Sequence, residues 1–262
     1  MLLPVAGGKA RLAKILTTAA QYSIVLLNDI KKVGEPMSSE RPKPGPKQVL
    51  FAQFAGVAKT LGHPHRLELL EQLAQGERTV ETLAQRTRLS VANASQHLQQ
   101  MRRAGLVANR RDGKFIYYRL NDDAVLDLMA ALRRIAERNS AEVERVVRSY
   151  FDKRDSLEAI SRDELMRRAR AGAVTILDVR PEDEFALGHL PNALNIPLRE
   201  LEARLGEIDP KNEIVAYCRG PYCVLSYEAV AQLRTRGFNA RRLEDGLPEW
   251  RAAGLPVIAG NA

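Results

Sequence analysis

Apolar and polar positions alternate with a helical period through the first half of this chain, apart from one short stretch of period two. Val49–Leu61 is amphipathic and stops at Gly62. Pro64 suits the first turn of a second helix, His65–Gln75, which closes at Gly76. Thr79–Thr87 predicts a short third helix. Ser90 is placed to cap a helix over Val91–Ala104, with Gly105 as its stop. The period then becomes two. Leu106–Arg111, an Asp112-Gly113 turn and Lys114–Leu120 predict a β-hairpin. A long helix follows over about Asp122–Tyr150. Its stripe begins with Val125, Leu128, Met129, Leu132, Ile135 and Ala136 and continues through Val143, Val146, Val147 and Tyr150.

Beyond Phe151 strand and helix patterns alternate. Ser161 and Glu164 have capping-box spacing before a helix to Ala171. Val174–Val179 predicts a buried strand, Leu198–Leu205 a helix, and Glu213–Tyr217 a strand. Val224–Arg236 predicts a helix ended by Gly237, Ala240–Leu243 a strand, and Pro248–Ala253 a last helical turn. Such alternation implies a parallel sheet wrapped by helices, with ligands at the carboxyl ends of the strands.

The length, 262 residues, suits two ordinary domains. Residues 1–47 are expected to be an N-terminal extension and linker. Residues 37–47 are rich in Pro, Ser and charge, and Met37 is a second candidate start of translation. Domains are expected at 48–152 and 155–262. Net charge is +3 over residues 1–36, +8 over 37–154 and −3 over 155–262. The basic excess thus sits with the helices and the hairpin, which points to nucleic acid. Only two cysteines occur, so the disulfide framework of a secreted protein is not expected. No apolar run has the length of a membrane span, and residues 1–36 lack a signal-peptide pattern. A cytoplasmic protein with no membrane partner is expected.

Helix, short helix, helix and hairpin in that order describe a winged helix-turn-helix. The segments Leu61–Leu70 and Leu89–Val107 resemble the ArsR family of bacterial repressors, over about residues 48–150. On the helix after Ser90, Val91, Leu98 and Met101, with Leu106 beyond it, would bury one side. Asn93, Ser95, Gln96 and Gln99 would face base edges, where amides and hydroxyls read the major groove. Arg102, Arg103, Arg110, Arg111 and Lys114 suit phosphates. The resemblance implies a homodimer on a palindromic double-stranded operator, with the long helix as its dimer element. Metal-sensing members carry cysteines before the recognition helix or histidines on the last helix. Glu77–Leu83 has no cysteine, and the last helix has no histidine. His63, His65 and His97 suit capping and packing, so no metal and no cofactor are expected.

Residues 155–258 resemble a rhodanese domain through Asp178–Pro197, the loop from Cys218 to Val224, and Leu243–Trp250. The last of these departs from the family at Asp245, where a glycine is usual. Cys218 ends an apolar strand and precedes a helix, a setting that favours a thiolate. The resemblance makes Cys218 the catalytic nucleophile toward a sulfane-sulfur donor such as thiosulfate or a persulfide. In the loop Arg219, Gly220, Pro221, Tyr222, Cys223 and Val224, the backbone N–H groups of every residue but Pro221 would cradle the anionic outer sulfur. Arg219 would guide the donor. Asp178 and Arg180 would brace the loop and the neighbouring turn, and His189 would be structural. Cys223 stands where catalytic members place a basic residue. Two readings stay open for it: a small side chain packed under the loop, or a resolving thiol that closes a disulfide with Cys218. A related phosphatase loop would need an arginine at Val224, which disfavours phosphatase chemistry.

The fold class expected is therefore a mainly α winged helix-turn-helix followed by an α/β rhodanese-like domain. The function expected is a DNA-binding regulator, a repressor by resemblance, that takes sulfur on Cys218 as its sensing event. The alternative is a sulfurtransferase enzyme tethered to a DNA-binding domain.

Overall fold

The computed structural model describes residues 44–152 and 159–260. The extension over residues 1–43 and the 153–158 junction, where one domain boundary was expected, lie outside the described residues. From Leu50 onward the chain forms one compact unit.

The first half opens with α1 (Pro46–Leu61) and α2 (Pro64–Ala74). Pro64 lies in the first turn of α2, where its missing N–H costs nothing, and His63 Nδ1 accepts from His65 N at 3.2 Å. A short strand β1 (Arg78–Thr79), unforeseen from the pattern, leads into α3 (Val80–Arg86). The recognition element α4 (Val91–Arg103) starts where Ser90 Oγ accepts from Asn93 N at 3.2 Å. Strands β2 (Val107–Asp112) and β3 (Phe115–Leu120) form the wing, in a sheet of order β1-β3-β2. Asp112 pairs with Phe115, so the turn is Gly113-Lys114, one residue later than expected. Gly113 takes φ +57°, which a two-residue hairpin needs at its first position. Leu69, Leu70, Leu73, Leu83, Leu98 and Met101 form the centre of this half's core.

The expected long helix is broken. It runs as α5 (Ala124–Asn139), then α6 (Ala141–Val146), then a π-helical turn over Val147–Asp152. Ser140 is the reason: it adopts an extended conformation and its side chain accepts from Val143 N, capping a new helix.

The second half builds a four-stranded parallel sheet of order β5-β4-β6-β7. Its elements are α7 (Arg162–Arg170), β4 (Val174–Asp178), α8 (Glu182–Leu187), β5 (Leu194–Asn195), β6 (Glu213–Tyr217), α9 (Val224–Thr235), β7 (Ala240–Arg242) and α10 (Leu247–Ala252). The expected helix over Leu198–Leu205 is instead two 3₁₀ turns, Leu198–Glu200 and Leu205–Glu207. Alternation along β6 divides the core between the two faces of the sheet. Ile214 and Ala216 pack with Leu177, Val230 and Leu233 on one side, and Val215 and Tyr217 pack with Leu165, Leu190 and Trp250 on the other. Cys218 and Cys223 belong to the first face.

Candidate functional site

Strand β6 ends at Tyr217, so Cys218 lies at the carboxyl end of a central strand, and α9 begins at Val224. The loop between them is closed on itself. Cys218 and Cys223 are joined by a disulfide, with their Cα atoms 6.1 Å apart, inside the span such a bond requires. The free thiolate expected at position 218 is therefore absent from this form, and sulfur can be accepted only by the dithiol. Both cysteines are buried. Cys223 N donates to Gly220 O at 3.0 Å, so this N–H is spent within the loop rather than offered to an outer sulfur. Tyr227 Oη donates to Pro221 O at 3.2 Å, which fastens the loop to α9.

Gly246 is a site residue that motif reading passed over in favour of its neighbour Asp245. A Cβ at this position would meet Gly220 N at 2.3 Å, Arg219 C at 2.5 Å and Gly220 Cα at 2.6 Å. The backbone of the loop leans directly on it. Gly246 N donates to Glu249 Oε2 at 3.1 Å, and Leu247 N donates to Cys218 O at 3.2 Å. The departure at Asp245 is accommodated by Arg162, whose Nε lies 2.8 Å away, while burial raises the Asp245 pKa.

Arg219 does not point to an incoming donor. Its guanidinium grips Glu184, with Nη2 to Oε1 at 2.7 Å and Nε to Oε2 at 2.9 Å. Glu184 is 0% exposed and also accepts from Arg86 of α3. Next to it, Asp183 accepts from Arg78 at 2.9 Å and from Arg86. Burial alone would raise the Asp183 pKa, but these two guanidiniums outweigh it and hold the carboxyl below its usual range. Asp178 and Arg180 are both 0% exposed and form a forked pair, Nη2 to Oδ2 at 2.6 Å and Nε to Oδ1 at 3.0 Å. Arg180 braces the neighbouring turn through Gly188 O at 2.7 Å. It reaches the cysteine loop only through Gln75, which accepts from Arg180 Nη1 at 3.0 Å and donates to Arg219 O at 3.4 Å. His189 stacks on Phe185 with ring centroids 3.6 Å apart and lies 2.9 Å from Phe185 O, a structural setting.

Gln75, Arg78 and Arg86 come from the helix-turn-helix half, so the sulfur loop is packed against it. The contact continues on the other side of the loop. Tyr222 Oη donates to Glu137 Oε1 at 2.7 Å, and Arg133 Nη1 donates to Glu249 Oε1 at 2.8 Å. Burial and the Glu137 carboxylate raise the Tyr222 pKa. Between these contacts lies a cleft of about 300 Å³, lined by Leu67, Leu126, Met129, Gly220, Pro221 and Pro248 among others. Neither cysteine lines it.

On α4 the side chains of Asn93, Gln96 and Gln99 are exposed, as are those of Arg102 and Arg103. Ser95 is half-buried and lies 3.2 Å from Gln99 Nε2. Val91 does not pack inward as expected; it is exposed at 49%, and Ala94 is buried beside Leu98 and Met101. On the wing Arg111 and Lys114 are exposed. Arg110 is committed to Glu77, with Nη2 to Oε2 at 2.7 Å, and to Asp112. His97 is packed: its ring centroid lies 4.5 Å from that of His63, and Arg66 donates to its Nδ1 at 3.4 Å. Burial and these neighbours lower its pKa. Among the described residues no cluster of His, Cys, Asp or Glu side chains could hold a metal ion, and no helix is long and apolar enough to cross a membrane.

Residues 61–110 match the model of a helix-turn-helix domain, and residues 161–253 match the rhodanese-like domain. An HTH-type transcriptional regulator of Mycobacterium tuberculosis, Rv0324, is 44% identical over 214 residues, which cover 82% of this chain and 94% of that protein. A sulfurtransferase of Allochromatium vinosum is 34% identical over 87 residues, 33% of this chain and 79% of its own length. The nodulation protein NolR of Rhizobium meliloti is 38% identical over 92 residues, 35% of this chain and 75% of its own.

Proposed function

Because the chain belongs to the HTH-type transcriptional regulators and carries a C-terminal rhodanese-like domain, we propose that sulfane sulfur reaching Cys218 is its signal and operator DNA its target. The observation that carries the reading is the cysteine pair bracketing a loop at the end of β6, packed against the DNA-binding half.

The chemistry has two steps. The Cys218 thiolate attacks the outer sulfur of a donor R–S–SH; the S–S bond of the donor breaks, and RSH leaves with the proton. Cys218 then carries –S–S⁻. In the second step Cys223 attacks the inner sulfur, its proton passes to the departing sulfur, and HS⁻ leaves behind the Cys218–Cys223 disulfide. The donor is the oxidant, and one sulfur is reduced to hydrosulfide.

On the DNA side, Asn93, Gln96 and Gln99 are exposed where base edges would lie, and Gln99 would exchange its bond to half-covered Ser95 for one to a base. The Ser90 hydroxyl is occupied as the helix cap and suits a phosphate at the helix N-terminus. Arg102, Arg103, Arg111 and Lys114 would contact phosphates. Arg110 would have to leave Glu77 to join them. An exposed apolar face on Phe54, Leu128, Leu132 and Ile135 supports a homodimer. We read the protein as a repressor.

Treating the reduced full-length protein with polysulfide and weighing it tests the sulfur step. The expected sequence is a transient gain of one sulfur followed by loss of two hydrogens. Lasting absence of both products would overturn it. A second reading, a sulfurtransferase, is favoured by the likeness to the Allochromatium protein. Steady turnover of thiosulfate with a thiol acceptor would establish it in place of signalling.

A further inference from the structure

Four contacts fasten the cysteine loop to the DNA-binding half, and their placement follows a pattern. Two residues between the cysteines make them directly: Tyr222 donates to Glu137 on α5 at 2.7 Å, and Arg219 O accepts from Gln75 at 3.4 Å. A third runs through the Arg219 side chain and Glu184 to Arg86. The fourth runs from Arg133 of α5 through Glu249 to Gly246, on which Gly220 leans. We propose that the segment from Cys218 to Cys223 is a redox-closed fastener between the two halves, gripped on the DNA-binding side chiefly by Glu137. This rests on the sulfur-sensing reading above and names how the signal would leave the loop.

A disulfide between Cys218 and Cys223 closes a ring around residues 219–222, so Arg219 and Tyr222 hold one relation to each other and to β6. Opening it to two thiols lets the loop relax away from α5. Contacts made only in the closed form favour that form, and by linkage their removal favours the dithiol. The exchange is balanced in two electrons: a reducing dithiol gives up two hydrogens to the cysteine sulfurs and becomes a cyclic disulfide. In the proposed cycle the sulfane-sulfur donor drives the opposite direction. Helix α5 also carries Leu128, Leu132 and Ile135, the face expected to meet a second copy. A change at Glu137 therefore acts on the element that sets the spacing of two recognition helices.

The test equilibrates the full chain with mixtures of oxidised and reduced dithiothreitol, then traps the thiols and weighs the products. A hydrogen bond to a charged acceptor is of the stronger kind. Glu137→Gln is therefore expected to lower the equilibrium constant for the disulfide about tenfold, about 30 mV for a two-electron couple. Tyr222→Phe removes the bond outright and should shift it at least as far, and the double variant no further than Tyr222→Phe alone, because glutamine only weakens a bond that phenylalanine has already removed. Glu81→Gln, at an exposed position on α3, should titrate like the wild type, which separates the effect from general loss of stability. Glu137→Gln and Tyr222→Phe both titrating with the wild type would overturn the fastener. The underlying reading fails by a different result: a persulfide donor that never oxidises the wild-type pair.

Discussion

The close approach of Gly246 to the cysteine loop can be tested by adding one methyl group. Gly246 has φ −116° and ψ −171°, a conformation open to any residue. Alanine there would even stiffen the unfolded chain, a gain of about 0.4–1 kcal/mol where no clash opposes it. The clash is nevertheless severe, because the new Cβ would meet three backbone atoms at 2.3, 2.5 and 2.6 Å. Backbone cannot rotate away as a side chain can, so the cost should lie at the upper end of overpacking, about 3 kcal/mol. The net loss is about 2 kcal/mol, which for a unit of this size lowers Tm by roughly 4–8 °C. Gly246→Ala should also slow sulfur loading of reduced Cys218, since Leu247 N and Gly246 both position the loop. Thermal unfolding followed by circular dichroism, with loading followed by mass, gives both numbers. A variant with wild-type Tm and wild-type loading rate would refute the close-approach argument.

Other substitutions separate the remaining parts. Glu184→Gln leaves Arg219 and Arg86 around a neutral acceptor; because each guanidinium is still 20% exposed, the cost should be nearer about 2 kcal/mol than the about 3–5 kcal/mol of a sealed pair, read as a lower urea midpoint. Cys223→Ser should trap the persulfide on Cys218 and abolish the loss of two hydrogens, as seen by intact mass. Leu132→Glu should convert a dimer to a monomer in analytical ultracentrifugation, since Leu132 sits within the exposed apolar face of α5. His97 has a lowered pKa in the folded protein, so the unfolded chain binds more protons just below its ordinary value. Stability should therefore be complete above pH about 6.5 and fall as the pH drops below it. His97→Gln should flatten that slope in urea titrations.

Local features of the fold were legible because their causes are local. Ser90 and Ser161 announced their helices by cap chemistry, and each side chain accepts from the expected backbone N–H. Cys218 was legible as the end of an apolar strand followed by a helix. Ser140 was missed because the apolar stripe stays in register on both sides of it, so the period hides the break. Helix α8 is only six residues long, too short for a period to emerge. Strand β5 has two residues and depends wholly on its pairing with β4. The partners of the loop were illegible for a different reason. Tyr222 and Glu137 lie 85 positions apart, and Arg86 and Glu184 lie 98 apart. No spacing rule connects such pairs; they meet only because the two halves pack. The commitment of Arg219 to a buried carboxylate was hidden in the same way. Gly246 left a signal in its place between Asp245 and Pro248, but only the structure shows the backbone against it.

The central claim is that the sulfur state of Cys218 changes the grip on DNA. Duplexes selected from a random pool by the reduced protein supply an operator. Its affinity can then be measured by fluorescence anisotropy for the dithiol and the donor-treated forms of the wild type and of Cys218→Ser. The account predicts at least a fivefold difference between the two wild-type forms and none between the two forms of Cys218→Ser. One common affinity for all four samples would contradict it.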